Sequence, residues 1–298
     1  MAYLLLTLTA LFWAGNFVLG RSMHLAISPI VMAESRWLLA LVLISPFLLP
    51  KLKKNKKVIA QHWPLLTLLS IISVAGFNTF IYIGLTSTTA TNAAIMQSMC
   101  PILILIISSF WLKESVSKLQ WLGVSISLIG VLILITKGDL LSLLSFPINQ
   151  GDLYVLTAVI LWAIYSILLR YRPNELDGFT FFGVTVLIGS IALLPFSIIE
   201  YYYSSSPIIW QNSTLLTIVY MAIFPSILAY IFWNKGVHEI GAEKAGLFIH
   251  LMPCFGLVLS SVFLNEEVYS FHIGGILLIF FGIYLAILTK SVLLKTKC

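Results

Sequence analysis

The sequence predicts an all-α integral membrane protein in which ten transmembrane helices form two inverted five-helix repeats. Three observations support this fold class. Hydrophobic residues make up 60% of the 298 positions and charged residues only 9%, against about 25% charged in a typical soluble domain. Apolar runs of the length that crosses a bilayer, about 20 residues, follow one another along the whole chain. The second half of the chain repeats the residue pattern of the first half.

Ten apolar runs are separated by charged, proline or turn residues. We expect the first run to be a retained helix, because no basic residue precedes it and no small-residue cleavage site follows it. Almost nothing is left over for a soluble domain. The approximate limits of the ten runs are 2–20, 30–50, 63–85, 88–112, 119–136, 152–171, 178–200, 213–234, 243–264 and 272–290.

The basic residues predict the orientation of these helices. With the N-terminus placed in the cytoplasm, fourteen Lys and Arg residues fall in cytoplasmic segments and only Arg21 and Lys137 in outer ones. Short loops rich in Lys and Arg are retained on the cytoplasmic side. Both termini are therefore predicted to be cytoplasmic. The composition, rich in Ile, Leu and Lys, fits a multi-pass protein of a bacterial inner membrane. A eukaryotic membrane is the alternative location.

An internal repeat relates the two halves. An offset of 149 residues aligns Trp13 with Trp162, and an offset of 152 aligns Pro101 with Pro253. Because each copy holds five helices, an odd number, the second copy enters the membrane in the opposite orientation, as in many secondary transporters. Further aligned pairs are Ala14 with Ala163, Gly84 with Gly236, Glu114 with Glu266, Gly123 with Gly275 and Gly130 with Gly282.

Several motifs carry a family resemblance. They are WAGNF near the start, ESRWLLA in the second helix, NAAIMQSMCPIL ending in LKE, and AGLFIHLMPCFG ending in LNEE before GGILLIFFGIYLA. On these motifs nearly the whole chain resembles the EamA-like family of the drug/metabolite transporter superfamily. The resemblance implies a ten-helix transporter or exporter of amino acids or other small metabolites. It also implies a central cavity lined mainly by the first, third and fourth helices of each half.

The repeat also predicts the division of the chain. We place the first EamA-like repeat at 1–137 and the second, inverted repeat at 152–290. Residues 138–151 would form a connecting loop on the outer side, and residues 291–298 a cytoplasmic tail.

Polar and aromatic side chains recur at helical spacing on spans that otherwise hold mostly Leu and Ile, so they should face the protein interior. Such a lining suits a substrate with an apolar or aromatic body and an amino-acid-like polar end. Alternatively, Trp and Tyr form interfacial belts and Asn ties helices together, although Trp13 and Trp162 lie in mid-helix. The predicted substrate-binding residues are Trp13, Asn16, Asn78, Tyr82, Met96, Gln97, Trp162, Tyr165, Tyr230, Trp233, Phe248 and His250.

Pro101 and Pro253 lie inside the fourth and ninth helices, where a proline removes a backbone donor and bends the helix. Matching bends in two inverted halves point to a gate next to a binding site, although membrane helices also tolerate proline with no such role. We predict gating roles for both prolines and for Glu114 and Glu266, which end the same two helices. The two acids could instead form a structural latch between helix ends.

Ionisable residues are few within the predicted spans, and three of them are candidates for a functional role. Glu34 and Arg36 are two residues apart in the second helix and cannot simply pair with each other. Arg36 matches an arginine of the resembled family and is expected to be a structural anchor. Glu34 could be a proton site or a residue of the outer mouth. His250 could couple protons to transport, although a hydrogen bond to a neighbouring helix is the simpler interpretation.

Two pairs of glycines, Gly123 with Gly130 and Gly275 with Gly282, lie two turns apart on the fifth and tenth helices. Small residues at such spacing let helix backbones approach closely. We interpret them as structural, and they would also permit a homodimer through these outer helices.

Other functions lack their sequence signatures. The chain has no HExxH, GxSxG or GxxxxGK[ST] motif, and the net charge of +6 comes without a basic face for nucleic acid. We therefore predict no catalytic residue, no metal, no cofactor and no nucleic-acid partner. The predicted function is secondary transport of amino acids or related metabolites, by export or exchange through alternating access. The alternatives are an intramembrane enzyme and a passive channel or structural membrane subunit. The expected partners are a small-molecule substrate and the lipid bilayer.

Overall fold

The computed structural model describes residues 1–23, 26–113, 116–145, 149–203, 208–264, 267 and 269–288. In these residues the secondary structure is helical, without a strand. Ten helices of this described part are long and apolar enough to cross a membrane, so the predicted fold class is confirmed. They are α1 Ala2–Gly20, α2 Pro29–Gln61, α3 Trp63–Ser87, α4 Asn92–Trp111, α5 Lys118–Ile135, α6 Gln150–Tyr171, α7 Gly178–Tyr203, α8 Asn212–Ile240, α9 Ala242–Leu259 and α10 Ser270–Ile287.

Two helices run past their predicted ends. α2 continues to Gln61, eleven residues beyond the apolar run that ends at 50. The extension is rich in Lys, a good helix former that needs no hydrocarbon around it. α8 continues to Ile240 and stops at Gly241, whose φ of 86° is accessible to glycine and strained for other residues.

The helices of the two halves interlock. α1 packs against α8, and α6 packs against α3, which is the same contact made once by each half. α2 packs against α7 and α5 against α10, each helix on its own repeat counterpart. Large apolar side chains such as Phe110 and Leu277, 81% and 65% exposed, cover the outside of the bundle. This is the exterior that lipid requires.

Glycines allow α5 and α10 to touch backbone to backbone. A Cβ atom added at Gly130 would lie 2.6 Å from the Gly275 carbonyl oxygen, and one added at Gly123 would lie 2.5 Å from the Gly282 carbonyl oxygen. The expected structural role of these glycines therefore has a definite partner, which lies within the same chain. Because this contact covers them, the four glycines give no support to a homodimer.

Pro101 and Pro253, the predicted gate residues, both follow an irregular stretch of helix. In α4 one helical segment ends at Ser98 and the next begins at Cys100, immediately before Pro101. In α9 a 3-10 turn over Leu247–His250 precedes the segment that holds Pro253. The breaks expected from the prolines are present at matching repeat positions.

Two further irregularities were not predicted. α3 contains a π-helical stretch over Ile71–Gly76, and α8 contains another over Ala222–Leu228. An offset of 152 superposes the two stretches. A π-helical stretch frees backbone carbonyl groups and is frequent at functional sites.

Candidate functional site

Aromatic rings meet where the two halves of the bundle join. The ring centroids of Trp13 and Trp162, which are repeat counterparts, lie 5.0 Å apart in an edge-to-face arrangement. Trp233 lies 5.2 Å from Trp13, and Tyr230 lies 5.2 Å from Trp162. All four side chains are buried. The Trp residues that sequence analysis assigned to a binding site thus form one cluster around the axis that relates the repeats.

A tyrosine–asparagine hydrogen bond occurs once in each half. Tyr82 OH donates to Asn16 Oδ1 at 3.0 Å, and Tyr165 OH donates to Asn234 Oδ1 at 2.8 Å. Asn16 is the repeat counterpart of Tyr165, and Tyr82 is that of Asn234. The repeat therefore keeps the bond while exchanging the residue types on the two helices.

The π-helical stretches bind the site residues through their freed carbonyl groups. Asn78 Nδ2 donates to Ser73 O at 3.0 Å and to Tyr230 OH at 3.2 Å, while Tyr230 OH donates to Ser73 O at 2.8 Å. In the other half, Trp13 Nε1 donates to Pro225 O at 3.3 Å. Asn78 and Tyr230 are repeat counterparts, so this contact also lies on the axis.

Arg36 lies within the same network. Its Nε donates to Ser226 Oγ at 2.8 Å, and its Nη1 donates to Asn16 Oδ1 at 3.0 Å and to Tyr82 OH at 2.6 Å. The guanidinium lies 4.9 Å from the centroid of the Trp37 ring, a cation–π distance. Sequence analysis flagged Arg36 as an anchor and left it out of the site. Its charge inside an apolar helix was the available signal.

Two cavities adjoin this network. The smaller, about 10 Å³ and close to the size that holds one water, is lined by Trp13, Asn16, Phe17, Arg36, Phe77, Asn78, Ile81, Gln97, Tyr230 and Met252. The larger, about 210 Å³, lies between α1, α4 and α9. Phe17, Gln97 and Met252 line both cavities. Sequence analysis did not assign Phe77, Ile81 and Met252, because the spacing of apolar residues alone does not show which of them face a cavity.

The predicted site residues take different places around the cavities. Trp13, Asn16, Asn78, Gln97 and Tyr230 line them. Tyr82, Trp162, Tyr165 and Trp233 form the buried support behind the lining. Met96 and Phe248 do not line either cavity, and Phe248 stacks on Tyr3 at 6.0 Å.

His250 joins three helices. Its Nε2 lies 2.9 Å from Ser98 O, and its Nδ1 lies 2.6 Å from Ser127 Oγ. A carbonyl oxygen only accepts, so the imidazole carries its proton on Nε2 and accepts from the serine at Nδ1. This neutral form has both nitrogens bonded, as a histidine that ties helices would have. A proton-coupling role for His250 gains no support from these contacts.

α4 and α9 cross near Ser98 and His250 and are closed on one side of that crossing. Towards the face of the bundle where α1 begins, here called the N-terminal face, a Cβ at Gly246 would lie 2.9 Å from Ile104 Cδ1. On the same side Ser108 Oγ donates to Glu243 Oε1 at 2.6 Å. Both contacts hold the two helices together.

Towards the opposite face the same helices separate and leave the larger cavity between them. Gly256, the repeat counterpart of Ile104, has nothing within 4 Å of an added Cβ, and Val18 is 53% exposed. The remaining lining residues are Ala14, Phe17, Ala94, Gln97, Ser98, Ile249, Met252 and Pro253. The repeat counterpart of this cavity is filled: Ala163, Cys100 and Ile104 are fully buried there.

Of the three glutamates with predicted roles, the structure describes one, Glu34. Glu34 is 2% exposed, and neither carboxylate oxygen has a hydrogen-bond partner among the described residues. Glu114 and Glu266 lie outside the described residues, as does the predicted tail 291–298. Within the described ranges, no group of three His, Cys, Asp or Glu side chains could hold a metal ion.

Comparisons with known proteins agree on a family. The model of the EamA-like transporter family matches residues 1–136 and again residues 149–288. The transporter YyaM of Bacillus subtilis (strain 168), named as uncharacterized, is 32% identical over 221 residues, 73% of this chain and 71% of the relative. An uncharacterized transporter of Archaeoglobus fulgidus is 28% identical over 291 residues, 95% of this chain and 96% of the relative.

A solved structure titled "Crystal structure of protein" has the same fold. It superposes with a TM-score of 0.77, covers 96% of both chains and is 19% identical in sequence. At that identity the likeness establishes the fold alone. The names of the relatives point to transport and not to catalysis.

Proposed function

This chain belongs to the EamA-like transporter family of the drug/metabolite transporter superfamily, and on that premise we propose that it is a secondary transporter. It exports or exchanges amino acids or related small metabolites by alternating access. Repeats at about 1–137 and 152–290 supply the two related states, in keeping with the inverted symmetry of many such transporters.

One observation carries the proposal, namely the unequal state of two equivalent cavities. The cavity beside Gly256 is open, while its repeat counterpart beside Ile104 is packed shut. Exchanging the conformations of the two repeats would close the first cavity and open the second. A transporter needs two such states, and a structural subunit or an open channel does not.

The aromatic and amide lining supports the substrate class. Trp13, Tyr230 and Phe17 offer ring faces and edges to an apolar body, and Asn16 and Gln97 offer amide groups to a polar end. With the N-terminus in the cytoplasm, as the basic residues predict, the open cavity faces outward. Export or exchange follows by analogy with the family resemblance.

Counterflow in proteoliposomes tests the proposal. Vesicles that hold the purified full-length chain are loaded with a panel of unlabelled amino acids and small organic acids. Uptake of a labelled mixture is then followed with and without a pH gradient. We expect saturable exchange that selects among the solutes and is absent from vesicles without protein.

Two outcomes would contradict the proposal. Flux that never saturates and never discriminates would indicate a channel. No exchange across the whole panel, from protein that remains folded and monodisperse, would indicate a role other than transport.

A further inference from the structure

A buried cation at the binding site has no acidic partner. Arg36 is 1% exposed, and its hydrogen bonds end on three neutral oxygens, those of Ser226, Asn16 and Tyr82. In the described part of the chain no carboxylate forms an ion pair with it. A charge inside a membrane protein is costly unless it is paired or wet. The contact with the Trp37 ring compensates only in part.

The unused donors of this cation adjoin the smaller cavity. The bonds of Nε and Nη1 account for three of the five N–H groups of Arg36, and those on Nη2 have no acceptor among the described residues. Asn16 Nδ2 is likewise without an acceptor there. Both residues line the smaller cavity. Planar N–H donors on a guanidinium match the two oxygens of a carboxylate.

The charge is present in one half of the molecule only. Thr185 in α7 is the repeat counterpart of Arg36, and its hydroxyl donates to Phe182 O at 2.7 Å. Among the described residues that line either cavity there is no Asp or Glu. A bound solute therefore meets a single positive charge at one end and uncharged walls elsewhere.

Building on the proposed function, we infer that the substrates are small carboxylates, whose carboxylate group binds Arg36 Nη2 and Asn16 Nδ2. The apolar or aromatic body of the substrate occupies the larger cavity beside Phe17 and Met252. An α-amino group is tolerated but not required, because no carboxylate stands ready to receive it. The flexible Met252 side chain, shared by both cavities, moves aside to admit the ligand.

A ligand series on the unmodified protein tests this inference. The four probes are 3-phenylpropanoate, phenylalanine, 3-phenylpropanamide and 2-phenylethylamine, which share a ring and differ in the head group. Binding is followed by tryptophan fluorescence of the purified full chain, since Trp13, Trp162 and Trp233 surround the site. We expect both carboxylates to bind, and the amide and the amine to bind at least ~10-fold more weakly.

The same head groups on an isobutyl body control for the size of the ring. Equal or tighter binding of the amine or the amide would overturn the inference. So would failure of the carboxylates of both series to bind.

Variants separate recognition from packing. Arg36→Lys keeps the positive charge but loses the planar pair of N–H donors. It should therefore weaken carboxylate binding by ~10-fold and leave binding of the amide unchanged. Thr185→Val, at the counterpart position, is the matched control and should leave the carboxylate-to-amide ratio within ~2-fold. A uniform loss for all four probes in Arg36→Lys would mean that Arg36 is structural. If Arg36→Lys does not fold, the ligand series on the wild-type protein still decides.

Counterflow distinguishes this inference from the proposed function. Exchange of neutral or cationic solutes that carboxylates do not inhibit would support the proposed transport function and contradict the carboxylate site. Carboxylate binding without exchange of any solute would support the carboxylate site and contradict the proposed transport function.

Discussion

At the scale of single residues, the site combines satisfied and unsatisfied polar groups. Tyr82, Asn78 and Tyr230 have partners that hold them in place. The indole N–H groups of Trp37, Trp162 and Trp233 have none within the structure as described. Buried polar groups are normally bonded, and an exception calls for a ligand, a water or a moving part. These groups accumulate around the aromatic cluster, where a polar solute would be received.

Glu34 provides a residue-scale prediction. Its two carboxylate oxygens are buried and have no hydrogen-bond partner in the part of the chain that the structure describes, so Glu34 is a better candidate for proton coupling than His250. Glu34→Gln keeps the shape and removes the charge. We expect it to abolish uptake driven by a pH gradient while leaving counterflow within ~3-fold of wild type, since exchange needs no net proton movement.

Glu239→Gln is the matched control, because Glu239 is a helix glutamate whose ion pair with Lys235 is long, at 4.0 Å. Both uptake and counterflow should persist in it. Gradient-driven uptake that survives in Glu34→Gln would remove Glu34 from the coupling mechanism.

At the scale of elements, carboxylates tie α2 to α7 at both ends. Glu200 of α7 accepts from the backbone N–H groups of Ile30 and Val31 at 2.8 and 2.9 Å, at the start of α2. An acid at a helix N-terminus satisfies free donors and favours the helix dipole. At the other end Asp177 accepts from Lys51 at 2.9 Å. The pair of helices is therefore held as one unit.

The Asp177 tie has a pH dependence. Burial raises the pKa of Asp177, but hydrogen bonds from Thr180 and Lys51 outweigh it and lower the pKa to about 2. A depressed carboxylate pKa stabilises the fold above the unfolded value of ~3.9 and loses that effect as pH falls towards the folded value. Asp177→Asn should therefore lower the thermal midpoint above pH 4, and the two proteins should converge as pH approaches 2.

The size of this effect is small, because both side chains are nearly half exposed, at 42% and 48%. An exposed ion pair contributes ~0.2–1 kcal/mol. A difference that stays constant from pH 7 to pH 2 would assign the effect to lost capping of α7 and not to the charge.

The contact between α5 and α10 gives a second prediction at this scale. Gly130→Ala forces a Cβ to 2.6 Å from the Gly275 carbonyl oxygen. Backbone atoms cannot move aside as side chains do, so we expect a loss of ~1–3 kcal/mol, the usual cost of overpacking. Thermal unfolding in detergent measures it.

Gly274→Ala is the control, since that neighbour on α10 has nothing within 4 Å of an added Cβ. It should be neutral or slightly stabilising, because alanine favours a helix over glycine. Equal midpoints for Gly130→Ala and Gly274→Ala would show that the α5–α10 contact is looser than described here.

At the scale of the whole molecule, the sequence predicts the internal repeat. It does not predict the structural difference between the two equivalent cavities. The offsets that align Trp13 with Trp162 and Asn78 with Tyr230 already imply that these residues approach a common axis. The rotation of each helix depends on the π-helical stretches in α3 and α8, and one inserted residue turns a helix by ~100° without disturbing its apolar composition. The sequence therefore could not predict that Arg36 lies beside Asn16.

The sequence could not predict which of the two cavities is open either. The two conformational states of an inverted repeat have the same sequence. Pro101 and Pro253 predicted breaks in both α4 and α9, and both breaks exist. What differs is the packing beside them, where Ile104 fills one cavity and Gly256 leaves its counterpart empty.

Accessibility at these two counterpart positions tests the alternation directly. Gly256→Cys and Ile104→Cys are made separately in a chain whose native cysteines are replaced by serine or alanine, and each is treated with a membrane-impermeant maleimide in vesicles and in detergent. In the state described here Gly256→Cys lines open space and reacts, whereas Ile104→Cys is fully buried and does not. Ser108→Ala removes the hydrogen bond to Glu243 that closes the N-terminal face.

That loss should shift the population towards the other state by ~0.5–1.5 kcal/mol, the net worth of one hydrogen bond. Labelling of Ile104→Cys should then rise as labelling of Gly256→Cys falls. Ser109→Ala, in the same helix, is the control variant, because Ser109 is partly exposed. It should leave the labelling rates of Ile104→Cys and Gly256→Cys unchanged. Rates that rise together at both positions would mean loosening of the bundle, because alternating access requires that one cavity close when its counterpart opens.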